Sequence, residues 1–180
     1  LGLRPIKIAL LASSTIDHFC EVLKLWLAAD GLAAQIWIAP FDTITPTILN
    51  NKSPLYSFEP DIVWIFTTHR DLRIQVSALD SKSVQSEIGA EVDSYRNLWN
   101  SLQKNLSCTV IQNNADIPAI DPFGNYAGHL SGTKRNILRR FNLELATETP
   151  PELVIFDLDH LASNFGRSRW IAWRYWYHSK

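Results

Sequence analysis

IKIALLA, residues 6–12, is a short run of mostly apolar residues followed by three hydroxyl residues, 13–15. A run of this length bounded by turn-forming residues predicts a buried strand. A helix is predicted to begin near Asp17 and to end before Gly31. The predicted apolar stripe of this helix consists of Phe19, Val22, Leu23, Trp26 and Leu27. A buried strand, a turn and an amphipathic helix together are typical of a parallel sheet covered by helices.

The same alternation repeats along the chain. Apolar runs predict four further strands, at 33–40, 61–67, 108–112 and 153–156. Helical periodicity predicts helices at 45–51, 134–146 and 160–165. It also predicts helical structure over most of 72–106, with a break near 79–83. The apolar stripe of the part after this break contains Ile88, Val92, Tyr95, Leu98, Trp99 and Leu102. The pattern predicts an α/β fold, a three-layer α/β/α sandwich around a five-stranded parallel sheet, in one domain covering 1–180.

Composition and charge limit the possible functions. The 180 residues are 46% apolar and 19% charged, with a formal net charge of −1, which gives no reason to expect nucleic acid or an anionic membrane as partner. No apolar run approaches the ~20 residues of a membrane span. Cys20 and Cys108 lack CxxC spacing, so we predict two reduced, buried thiols and a cytoplasmic protein. The chain begins at Leu1 and ends in WYHSK, which favours a segment of a longer polypeptide.

Polar residues follow every predicted strand, and ligands of open parallel sheets bind at that edge. Ser14 stands at a strand-to-helix turn, where a nucleophile or an anion would meet helix N–H groups. Ser13 and Thr15 flank it, and all three also suit an N-cap. Arg70, Asn113 and Asp157 follow the third, fourth and fifth strands and are, with Ser13 and Thr15, candidate substrate-binding residues.

A serine nucleophile needs a histidine base, and His160 and His178 are the two candidates. Asp157 and His160 have DxxH spacing. The segment DLDHL, 157–161, also resembles a phosphatase nucleophile motif, but Leu161 replaces the required Thr, and we interpret Asp157 or Asp159 as a helix cap instead. No His or Cys grouping indicates a metal site.

The last segment, RSRWIAWRYWYHSK at 167–180, combines tryptophan, tyrosine and arginine. Such a mixture occurs in single-strand nucleic-acid sites and at membrane interfaces, and it also occurs at protein interfaces. Because the overall charge is close to neutral, we interpret 167–180 as a docking edge for another domain rather than as a nucleic-acid site.

Several segments together resemble the N-terminal domain of FkbH-like proteins. The resemblance runs from about residue 7 to residue 180, and the segments that carry it are IALLASSTIDHF, SPLYSFEPDIVWIFTTHRDL, VIQNN followed by FGN, FNLELA, FDLDHLASNFG and RWIAWRYWYHSK. The resemblance implies an SGNH-hydrolase-like, flavodoxin-like fold, followed in the family by a haloacid dehalogenase type domain. It also implies that a glyceryl unit is dephosphorylated and loaded onto an acyl carrier protein in polyketide biosynthesis. No cofactor is implied for this domain, and Mg²⁺ would belong to the associated phosphatase domain.

The resemblance also places residues on the SGNH pattern. ASS stands where that pattern has GDS, which puts Ser14 at the nucleophile position, and THRD stands at GxND, so Arg70 replaces the asparagine of the oxyanion hole. His178 lacks an aspartate three residues before it, since Tyr175 stands there. Two hypotheses follow: an auxiliary domain that binds substrate or carrier protein for a phosphatase domain, and a stand-alone serine esterase or acyltransferase that uses Ser14 with His178 or His160. A nucleic-acid binder that uses the last segment is a third, weaker alternative.

Overall fold

A five-stranded parallel sheet forms the centre of the chain in a computed structural model that describes residues 2–171. Its strands are β1 (Arg4–Ala12), β2 (Leu32–Ile38), β3 (Ile62–Phe66), β4 (Thr109–Asn113) and β5 (Leu153–Phe156). The order across the sheet is β2-β1-β3-β4-β5. Ile8 of β1 pairs with Ile36 on one side and with Ile62 on the other. The predicted five-stranded parallel α/β fold is confirmed.

Helical segments connect the strands. They are α1 (Asp17–Ala29), α2 (Ile44–Leu49), α3 (Pro54–Phe58), α4 (Val84–Asn105), a 3-10 helix (Gly124–His129), α5 (Lys134–Glu148), α6 (Leu158–Phe165) and α7 (Arg167–Trp170). No helix within residues 2–171 is both long enough and apolar enough to cross a membrane.

The helices cover both faces of the sheet because successive strand residues point to opposite sides. Leu11 and Ile65 belong to the larger core, where they meet Trp99 of α4 and Phe141 of α5. On the opposite face Leu10 belongs to a smaller core that includes residues of α1. The result is the three-layer arrangement that the sequence predicts.

The apolar stripe of α1 differs from the prediction. Phe19, Leu23 and Leu27 pack against the smaller core, but Val22 and Trp26 are 51% and 69% exposed. Residues four apart lie nearly above one another on a helix, so only one row of this stripe meets the sheet. The predicted stripe of α4 is buried throughout, as expected.

The segment 67–83 contains no helix, so the predicted helical structure in 72–79 is wrong. Leu72, Ile74 and Val76 pack against the larger core from an extended backbone. Apolar residues at every second position are the pattern of an extended segment, and here that pattern outweighs helical propensity. This segment closes one side of the region described next.

The two cysteines form no disulfide. Cys20 is buried in α1, whereas Cys108 is half-buried directly before β4 rather than fully buried within it. Burial raises the pKa of both thiols, so neither is activated as a nucleophile at neutral pH.

Candidate functional site

The carboxyl ends of all five strands lie at one edge of the parallel sheet, here called the strand-end rim. β1 leads into the hydroxyl residues 13–15, and β3 leads into the segment 67–71. Because β1 and β3 are neighbours, the two segments lie side by side. This part of the rim therefore contains the serine turn and Arg70.

The serine turn does not cap α1. The N-cap position is Ile16, and no side chain accepts a hydrogen bond there. Ser13 and Ser14 are half-buried, while Thr15 is exposed. Capping, the alternative function of these hydroxyls, is therefore not their role in this structure.

A cavity of about 740 Å³, here called the rim cavity, opens beside this turn. Its wall includes Ser13 and Arg70, two of the predicted site residues, together with Arg73, Asp42 and Glu91. Residues of α2 and α4 form the opposite sides. The volume is in the range of small-molecule sites, and the lining mixes cations with carboxylates.

Hydrogen bonds hold the floor of the rim cavity. The side-chain amide of Gln112 donates to Thr67 Oγ1 at 2.8 Å, and Trp99 Nε1 donates to Gln112 Oε1 at 3.4 Å. Burial raises the pKa of the Tyr95 phenol, whose hydroxyl is hydrogen-bonded with Thr67. Thr67 and Tyr95 both line the cavity, so part of its surface is a rigid, neutral polar layer.

Glu91 is the carboxylate of α4 in this cavity. Burial raises the pKa of Glu91. Two effects of Arg73 oppose this shift: its backbone N–H donates to Glu91 at 3.4 Å, and its side chain is positively charged. A carboxyl group shifted by burial in a cleft is a feature of functional sites. No sequence pattern pointed to Glu91, because a charged residue between the apolar positions of α4 is expected on the exposed face of the helix.

His69 and Asp116 form a buried pair next to Arg70. Nδ1 of His69 lies 2.8 Å from Asp116 Oδ1, which also accepts the backbone N–H of His69 at 3.0 Å. Burial by itself would raise the pKa of Asp116, but the hydrogen bonds from His69 and the His69 charge lower it below its usual value. The lowered pKa keeps the Asp116 carboxylate ionised at neutral pH. Because an ionised carboxylate only accepts hydrogen bonds, Nδ1 of His69 is the donor. This pair joins the β3 and β4 loops, and no sequence spacing indicated it.

Asn113 and Asp157 do not line the rim cavity. The side-chain oxygen of Asn113 accepts the indole N–H of Trp64 at 2.8 Å, and its amide donates to Thr67 O at 3.2 Å. Asp157 is the N-cap of α6 and accepts the His160 N–H at 2.9 Å and the Asn114 amide at 2.8 Å. Both side chains make structural hydrogen bonds here, and the interpretation of Asp157 as a cap is confirmed.

Of the candidate bases, only His160 lies within the described residues. Nε2 of its exposed ring lies 2.9 Å from the Asn164 amide nitrogen. It follows β5, three strand spacings from the end of β1, which corresponds to about 14 Å. Within residues 2–171 no hydrogen bond joins Ser14 to a histidine. His178 lies outside the described residues.

The described part of the last segment is bonded to its own domain. Arg167 donates to the carbonyl of Ile117 at 2.8 Å and pairs with Asp159. The indole N–H of Trp170 donates to Asp116 Oδ2 at 3.1 Å. The remaining residues of the predicted docking edge, 172–180, lie outside the described residues.

Comparison with known proteins identifies one family. The model of a family described as the FkbH N-terminal domain matches residues 7–180. No curated protein matches the chain. Within the residues that the structure describes, no group of three or more His, Cys, Asp and Glu residues could hold a metal ion.

Solved structures share the fold. The N-terminal part of a Bacteroides fragilis protein, which contains a phosphatase domain and is complexed with Mg, matches with a TM-score of 0.82 and 23% identity over 98% of this chain and 46% of that chain. A catalytic mutant of an acetylxylan esterase from Geobacillus stearothermophilus matches with a TM-score of 0.54 and 14% identity, over 91% of this chain and 82% of that one. A GDSL-like lipase from Parabacteroides merdae matches with a TM-score of 0.55 and 10% identity, over 96% and 87%. The chain thus spans less than half of the matched Bacteroides chain, and it shares its fold with the acetylxylan esterase and the GDSL-like lipase.

Proposed function

Because the chain belongs to the family of FkbH N-terminal domains, we propose that it is an auxiliary domain that works with a haloacid dehalogenase type phosphatase domain. The joint reaction is dephosphorylation of a glyceryl phosphate donor and loading of the glyceryl unit onto an acyl carrier protein in polyketide biosynthesis. The phosphatase domain supplies the Mg²⁺ chemistry. This chain binds the donor or the carrier protein.

One observation carries this proposal: Arg70 and Ser13 line one cavity at the strand-end rim. A guanidinium at a strand end binds anionic groups through paired N–H donors. The local chemistry therefore suits the holding of an anionic ligand.

The Bacteroides protein supports the partner. It contains a phosphatase domain, and more than half of that chain lies outside the match. We assign the docking edge to the predicted segment 167–180. In its described part, Arg167 and Trp170 bond α7 to the loop after β4, and this supports α7 as an attachment point for a neighbouring domain.

The test is a loading assay. The natural polypeptide or complex that contains this chain and its phosphatase domain is incubated with a glyceryl phosphate donor and carrier protein, and glyceryl attachment is read by mass spectrometry. We expect Arg70→Ala to lower the loading rate at least about tenfold, as loss of a charge-assisted contact does, and Arg96→Ala to leave it unchanged. Arg96 is the matched control because its exposed ion pairs with Asp93 and Glu148 lie elsewhere. Equal loading by both variants would contradict the proposal.

The second candidate is a serine esterase or acyltransferase that uses Ser14 with His178 or His160. The uncapped serine turn favours it, because Ser14 is half-buried and no side chain caps α1. A p-nitrophenyl ester and an active-site phosphonate separate the two candidates. The auxiliary role predicts equal ester turnover by the natural chain and Ser14→Ala, and no phosphonate on Ser14. Labelling of Ser14 that disappears in Ser14→Ala would establish the esterase instead.

A further inference from the structure

A second cavity of about 390 Å³ lies between the segment 67–83 and the start of α5, and we call it the loop cavity. Three basic residues line it: His69, Arg70 and Lys134. The rest of its wall is mainly apolar and is formed by Leu72, Ile74, Val76, Ile137 and Leu138. Basic groups from two separate segments therefore meet over an apolar surface.

His69 is 5% exposed, and Asp116 fixes its ring through Nδ1 at 2.8 Å. No hydrogen bond to Nε2 occurs within the described residues. Every fully buried side-chain nitrogen or oxygen in that part of the chain has a hydrogen-bond partner. Nε2 must therefore reach accessible surface, and the loop cavity is the space that His69 borders. An oriented imidazole with an unused nitrogen is a ready contact for a ligand.

Arg70 and Lys134 place two positive charges at the same cavity. Loss of hydration and the nearby Arg70 charge lower the pKa of Lys134, and the charge of Asp116 opposes this effect. Two like charges repel, and an anion between them removes that repulsion. Lys134 is also the first residue of α5, and its N-cap, Thr133, uses its hydroxyl to donate to Ala127 O and Leu130 O, each at 3.0 Å. The positive end of α5 thus adds to the potential at this point.

A metal ion fits this cavity less well than an anion. Carboxylate–histidine pairs such as Asp116 and His69 also support metal ligands. Here, however, Arg70 and Lys134 would repel a cation. The other nearby carboxylate, Asp71, accepts the backbone N–H of Thr68 at 2.7 Å and its hydroxyl at 3.1 Å. These groups suit a ligand that carries negative charge.

We propose that His69, Arg70 and Lys134 form a binding site for a phosphate monoester, whose organic group lies on the apolar wall of the loop cavity. Arginine and lysine bind phosphate oxygens by charge-assisted hydrogen bonds. Because Nδ1 of His69 donates to Asp116, Nε2 supplies a third contact in one of two ways: the doubly protonated ring donates to a phosphate oxygen, and the neutral ring accepts from the O–H of a phosphate monoanion. This inference rests on the proposed function at one point only, since both proposals have Arg70 contact an anion. It deepens that function by placing a phosphate group at the loop cavity and by naming two further residues, His69 and Lys134.

Calorimetric titration of the 180-residue chain with phenyl phosphate at low ionic strength tests the site. We expect saturable one-to-one binding, weaker binding of inorganic phosphate and none of phenol, because the site needs the charge and the apolar wall adds affinity. Lys134→Gln and Arg70→Gln should each weaken binding at least about tenfold, and Lys134→Arg should retain it. Lys52→Gln is the matched control and should bind as the natural chain does, since Lys52 is exposed and lines neither cavity.

Absence of saturable phenyl phosphate binding would overturn the site, and so would equal affinity of Lys134→Gln and Lys52→Gln. Circular dichroism of each variant verifies that it is folded. The outcome is separate from that of the proposed function. If the phosphonate labels Ser14 and phenyl phosphate still binds, the auxiliary role is rejected and the phosphate site stands. If loading depends on Arg70 but phenyl phosphate does not bind, the auxiliary role stands and the phosphate site is rejected.

Discussion

Gly132 lies just before α5 and contacts the segment 67–83. Its N–H donates to Ala78 O at 3.3 Å, and a Cβ at this position would lie 2.0 Å from Ser77 O. Gly132→Ala must therefore push the segment away. We expect it to lower the free energy of unfolding by about 1–3 kcal/mol, as overpacking does, measured by urea denaturation.

The matched control for this prediction is Gly128→Ala. A Cβ there meets nothing within 4 Å, and the backbone does not adopt the left-handed region. The free energy of unfolding of Gly128→Ala should stay level or rise by a few tenths of a kcal/mol, since alanine reduces the conformational freedom of the unfolded chain. Equal destabilisation by both substitutions would show that close approach is not the reason for glycine at 132.

Asp116 makes stability depend on pH in a defined direction. The pKa of Asp116 in the folded chain lies below its ordinary value of 3.8, so the unfolded chain binds a proton more readily. The contribution of Asp116 is therefore complete above about pH 4 and is lost as the pH falls through the folded pKa. We expect Asp116→Asn to cost about 3 kcal/mol at pH 7, as disruption of a buried pair does, and less in acid. Urea denaturation at several pH values measures this.

Asp93→Asn serves as the control for that series. Its ion pair with Arg96 is 2.7 Å long but lies on the surface, so its loss should cost at most about 1 kcal/mol. A cost for Asp116→Asn that is constant from pH 7 to pH 3 would contradict the lowered pKa.

For single residues, the sequence indicates candidates but does not distinguish between their roles. Asp157 and Ser14 both follow strands, and both suit helix caps or ligand contacts. The structure makes Asp157 a cap and leaves α1 without a side-chain cap. The pairing of His69 with Asp116 joins residues 47 positions apart, and no local pattern encodes such a partnership.

At the element scale, the cap of α6 has a measurable effect. Asp157→Ala removes the acceptor for His160 N and leaves the Asn114 amide without its partner. We expect the free energy of unfolding to fall by about 1–2 kcal/mol, and Asp157→Ser, which keeps a capping oxygen, to recover part of the loss. Thermal denaturation followed by circular dichroism measures both. If Asp157→Ser were no more stable than Asp157→Ala, the capping role would be wrong.

Elements with one dominant periodicity were predictable, and those with two competing signals were not. The apolar stripe of α4 predicted a buried helix, and β5 was predicted with the same limits that the structure shows. In the segment 72–79, helix-forming residues coincide with apolar residues at every second position. Packing of Leu72, Ile74 and Val76 against the larger core decides against a helix, and that core is built from distant parts of the chain, α4 and α5 among them.

At the scale of the whole molecule, hydrogen bonds connect the C-terminal end of the described chain to the loop cavity. Trp170 donates to one oxygen of Asp116, and the other oxygen holds the ring and the backbone N–H of His69. A residue of α7 thus contributes to the position of a residue that lines the cavity. In a protein where a phosphatase domain follows, this connection would join the domain junction to the binding site.

Trp170→Phe tests that connection. It keeps an aromatic ring beside Phe165 but removes the N–H that satisfies Asp116, so we expect the free energy of unfolding to fall by about 1 kcal/mol. Because Asp116 also fixes His69, affinity for phenyl phosphate should fall as well, measured by the same calorimetric titration. Phe165→Leu alters the ring contact and keeps the hydrogen bond, so it should bind phenyl phosphate as the natural chain does. If Trp170→Phe lost stability but kept full affinity, the hydrogen bond would serve only to hold α7, because the position of His69 would not depend on it.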